Sequence, residues 1–273
     1  MQRVITQIYE VQSPEEARQV AACGVDHIGS VVLSAERWKQ PELLKTRQAV
    51  KEAGALSSLI PLFTDKDEIC AALDYYQPDI VHFCDDLHLS GRHLDSPAKI
   101  NDVLAPLVAA QAEIRRRFCD IRIMRSIPIH QPRADSRLPV LEAARAFAPV
   151  SDYFLTDTLM SETDSQPADS QPVSGFVGIT GEICSWQSAA ALVDWSPVPV
   201  ILAGGLSPEN VFDAVRCVRP AGVDSCTRTN AVDSEGRPIR FKKDMDRVRR
   251  FVSETRRAAE TLAQAPESEK TKT

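Results

Sequence analysis

The sequence predicts an α/β protein built as a single (β/α)8 TIM barrel. Three observations carry that expectation. Short β-branched runs alternate with helix-spaced segments from one end of the chain to the other, eight of each. The length, 273 residues, suits the roughly 250 that eight strand–helix units occupy. The longest polar connections follow strands rather than helices, which is where parallel α/β folds build their sites. An open doubly wound sheet accommodates the same alternation and is the competing architecture.

The first strand is Val4–Tyr9, followed by a helix over Pro14–Cys23. Ser13-Pro14-Glu15-Glu16 opens that helix with a capping hydroxyl, a proline at the first helical position and a glutamate at the capping-box position. His27–Leu33 then pairs with the helix Pro41–Ala53, Leu56–Phe63 with Lys66–Tyr76, and Ile80–Cys84 with Ile100–Phe118. In the second half Ile121–Ile127 precedes Leu138–Phe147, and Tyr153–Asp157 precedes Gln187–Val193. Val198–Ala203 leads into Pro208–Val218, where Ser207-Pro208-Glu209 repeats the capping logic, and Gly222–Cys226 leads into an amphipathic segment from Lys243 to about Leu262. Three strand-to-helix connections are long: Asp85 to about Lys99, Pro128–Arg137 and Thr158–Gly175. The last of these is polar and rich in Pro and Ser, and reads either as a mobile lid or as an inert surface excursion. The barrel is expected to span residues 1–264, with 265–273 (APESEKTKT in its neighbourhood) a disordered C-terminal tail.

Composition narrows the function classes. A 43% apolar and 26% charged chain has material for a core, and a net charge of −6 argues against nucleic acid and against anionic membranes as partners. No apolar run reaches the 18 residues of a transmembrane candidate, and the start MQRVITQIYEV does not read as a signal peptide. The seven cysteines are odd in number and contain no C-x-x-C, which disfavours a disulfide framework or structural zinc and points to a reducing cytoplasm. Glycine is scarce, 11 residues, and seven of them fall after residue 174. No cofactor or metal is expected; His82-x-Cys84-Asp85-Asp86-x-His88 fits no common ligand spacing.

Candidate chemistry sits at strand ends. Gln7 and Tyr9 share one face of the first strand, His82 and Cys84 share one face of the fourth, and Asp157 ends the sixth. If these faces point into the barrel mouth, a phenol, an imidazole, a thiol and a carboxylate meet there, a set suited to proton transfer on a small polar substrate. Each also has a structural reading, Cys84 as a small core residue and His82 as a hydrogen-bonded barrel histidine. Gly204-Gly205 closes the seventh strand, and Cys226-Thr227-Arg228-Thr229 follows the eighth. Loops in those two places often hold phosphate in this architecture, where glycine admits close backbone approach; two tight turns without a ligand are the alternative.

The segment PVILAGGLSPENVFDAVRCVRPAGVDS (Pro199–Ser225) resembles the phosphoribosylanthranilate isomerase family of ribulose-phosphate-binding barrels. Further similarities run in order: SPEEARQVAACGVDHIGSVVLSAER (Ser13–Arg37), PDIVHF (Pro78–Phe83), LTDT (Leu155–Thr158), GITGEICSW (Gly178–Trp186) and Lys243-Asp244. The resemblance covers residues 1 to about 255. It implies an Amadori rearrangement of an N-phosphoribosyl anthranilate, with Asp157 as general acid on the ring oxygen, Arg37 near the anthranilate ring, and Gly204 and Gly205 in the phosphate loop. Thr227 and Arg228 would complete that loop, and Gln7 would join Arg37 in substrate binding.

The resemblance also defines departures. Where the family has K-x-C-G ending strand one, with the cysteine as base, this chain reads Gln7-Ile8-Tyr9-Glu10. The fourth-strand histidine of the family is Cys84 here, its neighbouring glutamine is His82, and the S-S-G of the eighth loop is Cys226-Thr227-Arg228. A phenol near pKa 10 is a poor base at neutral pH, so Cys84 or His82 is expected to take that task, with Tyr9 positioning or relaying the proton. The expectation is therefore an isomerase-type proton transfer on a phosphorylated sugar or aminosugar, in a monomer or homodimer. A barrel that binds a phosphorylated metabolite without turnover, and a lyase or epimerase using the same phosphate site, are the alternatives.

Overall fold

Eight parallel strands close into a barrel in strict sequence order, β1 beside β8, in a computed structural model that describes residues 3–89, 96–132, 139–159, 175–178 and 181–264. The strands are β1 (Ile5–Ile8), β2 (His27–Val32), β3 (Leu56–Pro61), β4 (Ile80–Phe83), β5 (Arg122–His130), β6 (Tyr153–Leu159), β7 (Val200–Leu202) and β8 (Gly222–Ser225). The helices α1 (Pro14–Ala22), α2 (Pro41–Glu52), α3 (Lys66–Tyr76), α4 (Pro97–Arg117), α5 (Val140–Phe147), α6 (Trp186–Trp195) and α7 (Val211–Val218) alternate with them. The expected closed barrel is therefore the observed one, and the doubly wound alternative is excluded by the β1–β8 pairing.

Side-chain alternation divides the core into two shells. Outward residues such as Ile8, Ile28, Phe154, Leu202 and Val223 pack with the helices into one large cluster. Inward residues, among them Tyr9, Val31, Ile60, Met124, Leu155 and Ile201, fill the barrel interior. Helix starts follow their caps: Ser13 accepts from Glu16 N, Asp65 from Glu68 N, Ser96 from Lys99 N and Ser185 from Ser188 N. Left-handed residues Gln77 and Arg219 end α3 and α7.

Several boundaries differ from expectation. The fourth helix begins at Pro97 rather than Ile100 because Ser96 caps it, and β5 continues to His130, paired with β6 through seven residues. The Ser207 hydroxyl accepts from Glu209 N, but only a turn follows, and α7 starts after Asn210. An unexpected antiparallel ribbon, β9 (Asn230–Val232) and β10 (Pro238–Lys243), separates β8 from α8 (Met245–Gln264). Its Lys243 Nζ donates to Cys226 O at 2.9 Å, tying the ribbon to the loop after β8. Most of the Thr158–Gly175 lid candidate and the 265–273 tail lie outside the described residues, and no described helix is long and apolar enough to cross a membrane.

Candidate active site

The C-terminal mouth of the barrel holds a cavity with an empty volume of about 670 Å³, open mouth included. Val31, Ile60, Leu62, Leu155 and Val177 form its apolar wall, and Gly204, Gly205, Thr227 and Arg228 its rim on the β7–β8 side. Tyr9, His82, Cys84 and Asp157 all line it, as does Asp224.

Tyr9 forms the floor. Its ring lies across β2 at Gly29, where an added Cβ would stand 2.0 Å from Tyr9 Cδ1, so this mid-strand glycine makes room for the ring. The hydroxyl is hydrogen-bonded to Ser58 Oγ at 2.6 Å and to His82 Nδ1 at 2.9 Å, and His82 Nε2 reaches Ser126 Oγ at 2.9 Å. One chain of polar contacts thus links β1, β3, β4 and β5. Burial pushes the Tyr9 phenol well above 10 and drives His82 down to about 3, the nearby Arg125 adding to the latter. Burial also pushes the Cys84 thiol well above 9, with the charges of Asp157 and Asp85 acting in the same direction.

In this geometry neither of the expected bases is set up for that task. A neutral imidazole with both nitrogens engaged in the barrel wall has no free lone pair for carbon acid chemistry, and a thiol held protonated is not a nucleophile or base at neutral pH. His82 and Tyr9 instead form a fixed polar floor. Gln7 and Arg37, expected to bind substrate, lie outside the cavity lining. Gln7 is fully buried one layer below the floor, donating to Asp224 Oδ1 at 3.2 Å and meeting His27 Nδ1 through its carbonyl at 3.2 Å. Arg37 ends a short 3-10 turn (Ala35–Arg37), exposed to solvent and outside the cavity lining.

Asp157 presents its carboxyl to the cavity from the C-terminal part of β6. The Thr158 N–H donates to its Oδ1 at 2.9 Å, and Gly178 lies over it so closely that a Cβ there would stand 2.1 Å from Oδ2. The segment carrying Gly178 crosses the mouth to β4: Val177 N donates to Cys84 O at 2.9 Å, and Asp86 N donates to Gly175 O at 2.8 Å. Burial pushes Asp157 up to about 7, against the Thr158 hydrogen bond.

Asp224 was absent from the expected site although its signal was present: in Gly222–Cys226 an acidic residue alternates with glycine and cysteine on the inward face of a buried strand. Burial pushes it up to about 7 as well, Gln7 opposes that shift, and the Asp157 charge adds to it. Glu10 is a further lining residue outside the expected set. It sits in a left-handed conformation at φ 64°, buried and ion-paired with Arg240 of β10.

The glycines after β7 have a packing reason independent of any ligand. A Cβ on Gly205, at φ +60°, would meet the backbone of Glu182 and Ile183 at 2.7–2.8 Å, and one on Gly204, at φ +97°, would meet Thr158 Oγ1 at 2.5 Å. They let the loop after β6 close down on the rim. Arg228 is held there by Gly181 O, at 3.1 Å from Nε and 2.9 Å from Nη2. Among the described residues no three His, Cys, Asp or Glu side chains converge as a metal site.

Comparison with known proteins gives this geometry a family. The sequence profile of N-(5′-phosphoribosyl)anthranilate (PRA) isomerase matches residues 123–254. An N-(5′-phosphoribosyl)anthranilate isomerase of Methanothrix thermoacetophila is 30% identical over 237 residues, which cover 83% of this chain and 88% of that protein. The chain belongs to the phosphoribosylanthranilate isomerase family. Two solved isomerases share the fold. The phosphoribosyl anthranilate isomerase of Thermotoga maritima superposes with a TM-score of 0.60 at 20% identity, over 92% of this chain and 98% of that one. A phosphoribosyl anthranilate isomerase in complex with reduced 1-(o-carboxyphenylamino)-1-deoxyribulose 5-phosphate gives 0.58 at 19% identity, over 92% and 98%. Membership of that family accounts for the closed eight-stranded barrel.

Proposed function

We propose that this chain is an isomerase of an N-(5-phosphoribosyl) aromatic amine, the N-phosphoribosyl anthranilate of its relatives, acting by Amadori rearrangement in cytoplasmic tryptophan synthesis. The observation that carries the reading is Asp157: a cavity-lining carboxyl with a pKa pushed up to about 7, in the same mouth as the Gly204-Gly205 rim. A carboxyl with that affinity is still substantially protonated at neutral pH and can surrender its proton to a ring oxygen as the C1–O bond opens. The phosphate belongs at Gly204, Gly205, Thr227 and Arg228, where the rim supplies glycine backbone, a hydroxyl and a guanidinium. The apolar wall suits the aromatic ring. Tyr9 and His82 hold the floor rather than exchange protons.

Turnover of N-(5′-phosphoribosyl)anthranilate, followed by its fluorescence, tests the reading. The wild type is expected to turn it over, and Asp157→Asn to lower kcat by about 10²–10⁴. Binding of the reduced product analogue without any turnover by the wild type would favour a binding protein, and unchanged activity in Asp157→Asn would overturn the acid assignment.

A further inference from the structure

Removing Tyr9, His82 and Cys84 from the list of bases leaves the isomerisation with an acid and no partner. The strand register supplies one. Leu155 of β6 is level with Ile201 of β7, and Ile201 is level with Gly222 of β8. Two residues further along, Asp157, Ala203 and Asp224 are therefore in register on the three neighbouring strands, and all three line the cavity. With strands about 4.8 Å apart, the two backbones stand roughly 10 Å from each other. The small side chain of Ala203 leaves the space between the carboxyls open. Gly204 and Gly205 follow at once, so a phosphate on the rim places its sugar between the two acids.

Asp224 is also held in place. It is level with Gln7 of β1, which is level with His27 of β2. Gln7 Nε2 donates to Asp224 Oδ1 at 3.2 Å, and the Gln7 carbonyl meets His27 Nδ1 at 3.2 Å. His27 faces the amide oxygen, which directs the amide nitrogen, and so a donor, at the carboxylate.

We propose that Asp224 is the base that takes the C2 proton, relocated from strand one to strand eight and oriented by Gln7. This inference rests on the isomerase reading above. Asp157 gives its proton to the ring oxygen as the C1–O bond breaks, leaving a C1–N iminium. Asp224 takes the C2 proton, and the C2–H electron pair becomes the C1=C2 bond of an enolamine while the iminium nitrogen recovers its pair. Tautomerisation of that enol gives the ketose, and exchange with water returns Asp157 to its acid and Asp224 to its base form. No oxidant or co-reactant is consumed. Burial pushes both carboxyls up to about 7, so the protonated form of Asp157 and the ionised form of Asp224 that this step needs are both accessible at neutral pH.

The test uses the full chain with N-(5′-phosphoribosyl)anthranilate, its C2-deuterated form, and the reduced product analogue as a binding probe. Asp224→Asn is expected to lower kcat by about 10²–10⁴ while analogue Kd stays within about threefold. Asp224→Glu, which restores a carboxylate, is expected to recover at least tenfold over Asp224→Asn, which a purely structural role would not give. The wild type is expected to show a primary isotope effect with the deuterated substrate, enlarged in Asp224→Glu. Wild-type turnover with Asp224→Asn within threefold of it, or no recovery in Asp224→Glu, overturns the assignment of Asp224 alone. Absence of wild-type turnover overturns the isomerase reading and this assignment with it.

Discussion

Tyr9→Phe separates a floor from a catalytic phenol. The substitution keeps the ring against Gly29 and deletes only the hydroxyl, which lies 2.6 Å from Ser58 Oγ and 2.9 Å from His82 Nδ1. Two buried hydrogen bonds are lost at about 1 kcal/mol net each, and an imidazole nitrogen left without a partner adds a cost of about 1–3 kcal/mol. The expected destabilisation is about 3–5 kcal/mol, or a Tm lower by roughly 6–20 °C in a domain of this size. Because burial holds the phenol well above 10, it stays protonated at neutral pH and is no base, and kcat is expected to stay within about threefold. Urea unfolding and steady-state kinetics on the same preparation read both quantities. A kcat lower by about 10³ with unchanged stability would refute the floor and restore a chemical role to Tyr9.

Two further predictions follow from burial and from the rim. Asp224 binds its proton more tightly folded, at about 7, than unfolded, at the ordinary 3.8, so its contribution to stability is complete below pH 4 and is lost as pH rises through about 7. Asp224→Asn removes that dependence; at about 1.4 kcal/mol per tenfold change in proton affinity it should stabilise the fold by up to roughly 4 kcal/mol at pH 8 and change little at pH 4. Urea unfolding at the two pH values checks the sign, and equal effects at both would contradict it. Gly205→Ala forces a Cβ to within 2.7–2.8 Å of the Glu182–Ile183 backbone at φ +60°, and is expected to cost about 1–3 kcal/mol and to weaken analogue binding, read by calorimetry.

The barrel was legible because each inward-facing strand is bounded by a turn and each helix opens on its own cap. Ser13-Pro14 marks the start of α1, and Ser96-Pro97 carries the same signal for α4, three residues before the expected start at Ile100. The β9–β10 ribbon was not legible: three residues on one side, and Arg240, Lys242 and Lys243 on the other, leave too little apolar alternation to mark a strand. Its pairing depends on contacts distant in sequence, such as Arg240 with Glu10. In the site, sequence position showed which residues face inward but not how deep. Gln7 and Tyr9 share a face, yet one lies beneath the floor and the other forms it. The reason Tyr9 reaches across the barrel is Gly29 on the neighbouring strand, a pairing invisible without the register. Asp224 is hidden in the sequence because its neighbours Gly222 and Val223 read as core.

The central claim is that two carboxyls lining one cavity, Asp157 and Asp224, are both pushed up to about 7 and that the Asp157 charge contributes to the shift of Asp224. Carbon-13 NMR titration of the aspartate side-chain carboxyls, assigned with Asp157→Asn and Asp224→Asn, tests it without any substrate. The account predicts that both carboxyls titrate near 7 in the wild type, and that Asp157→Asn lowers the value for Asp224 by removing its like charge. Two carboxyls that titrate independently in the ordinary aspartate range, each indifferent to loss of the other, would contradict it.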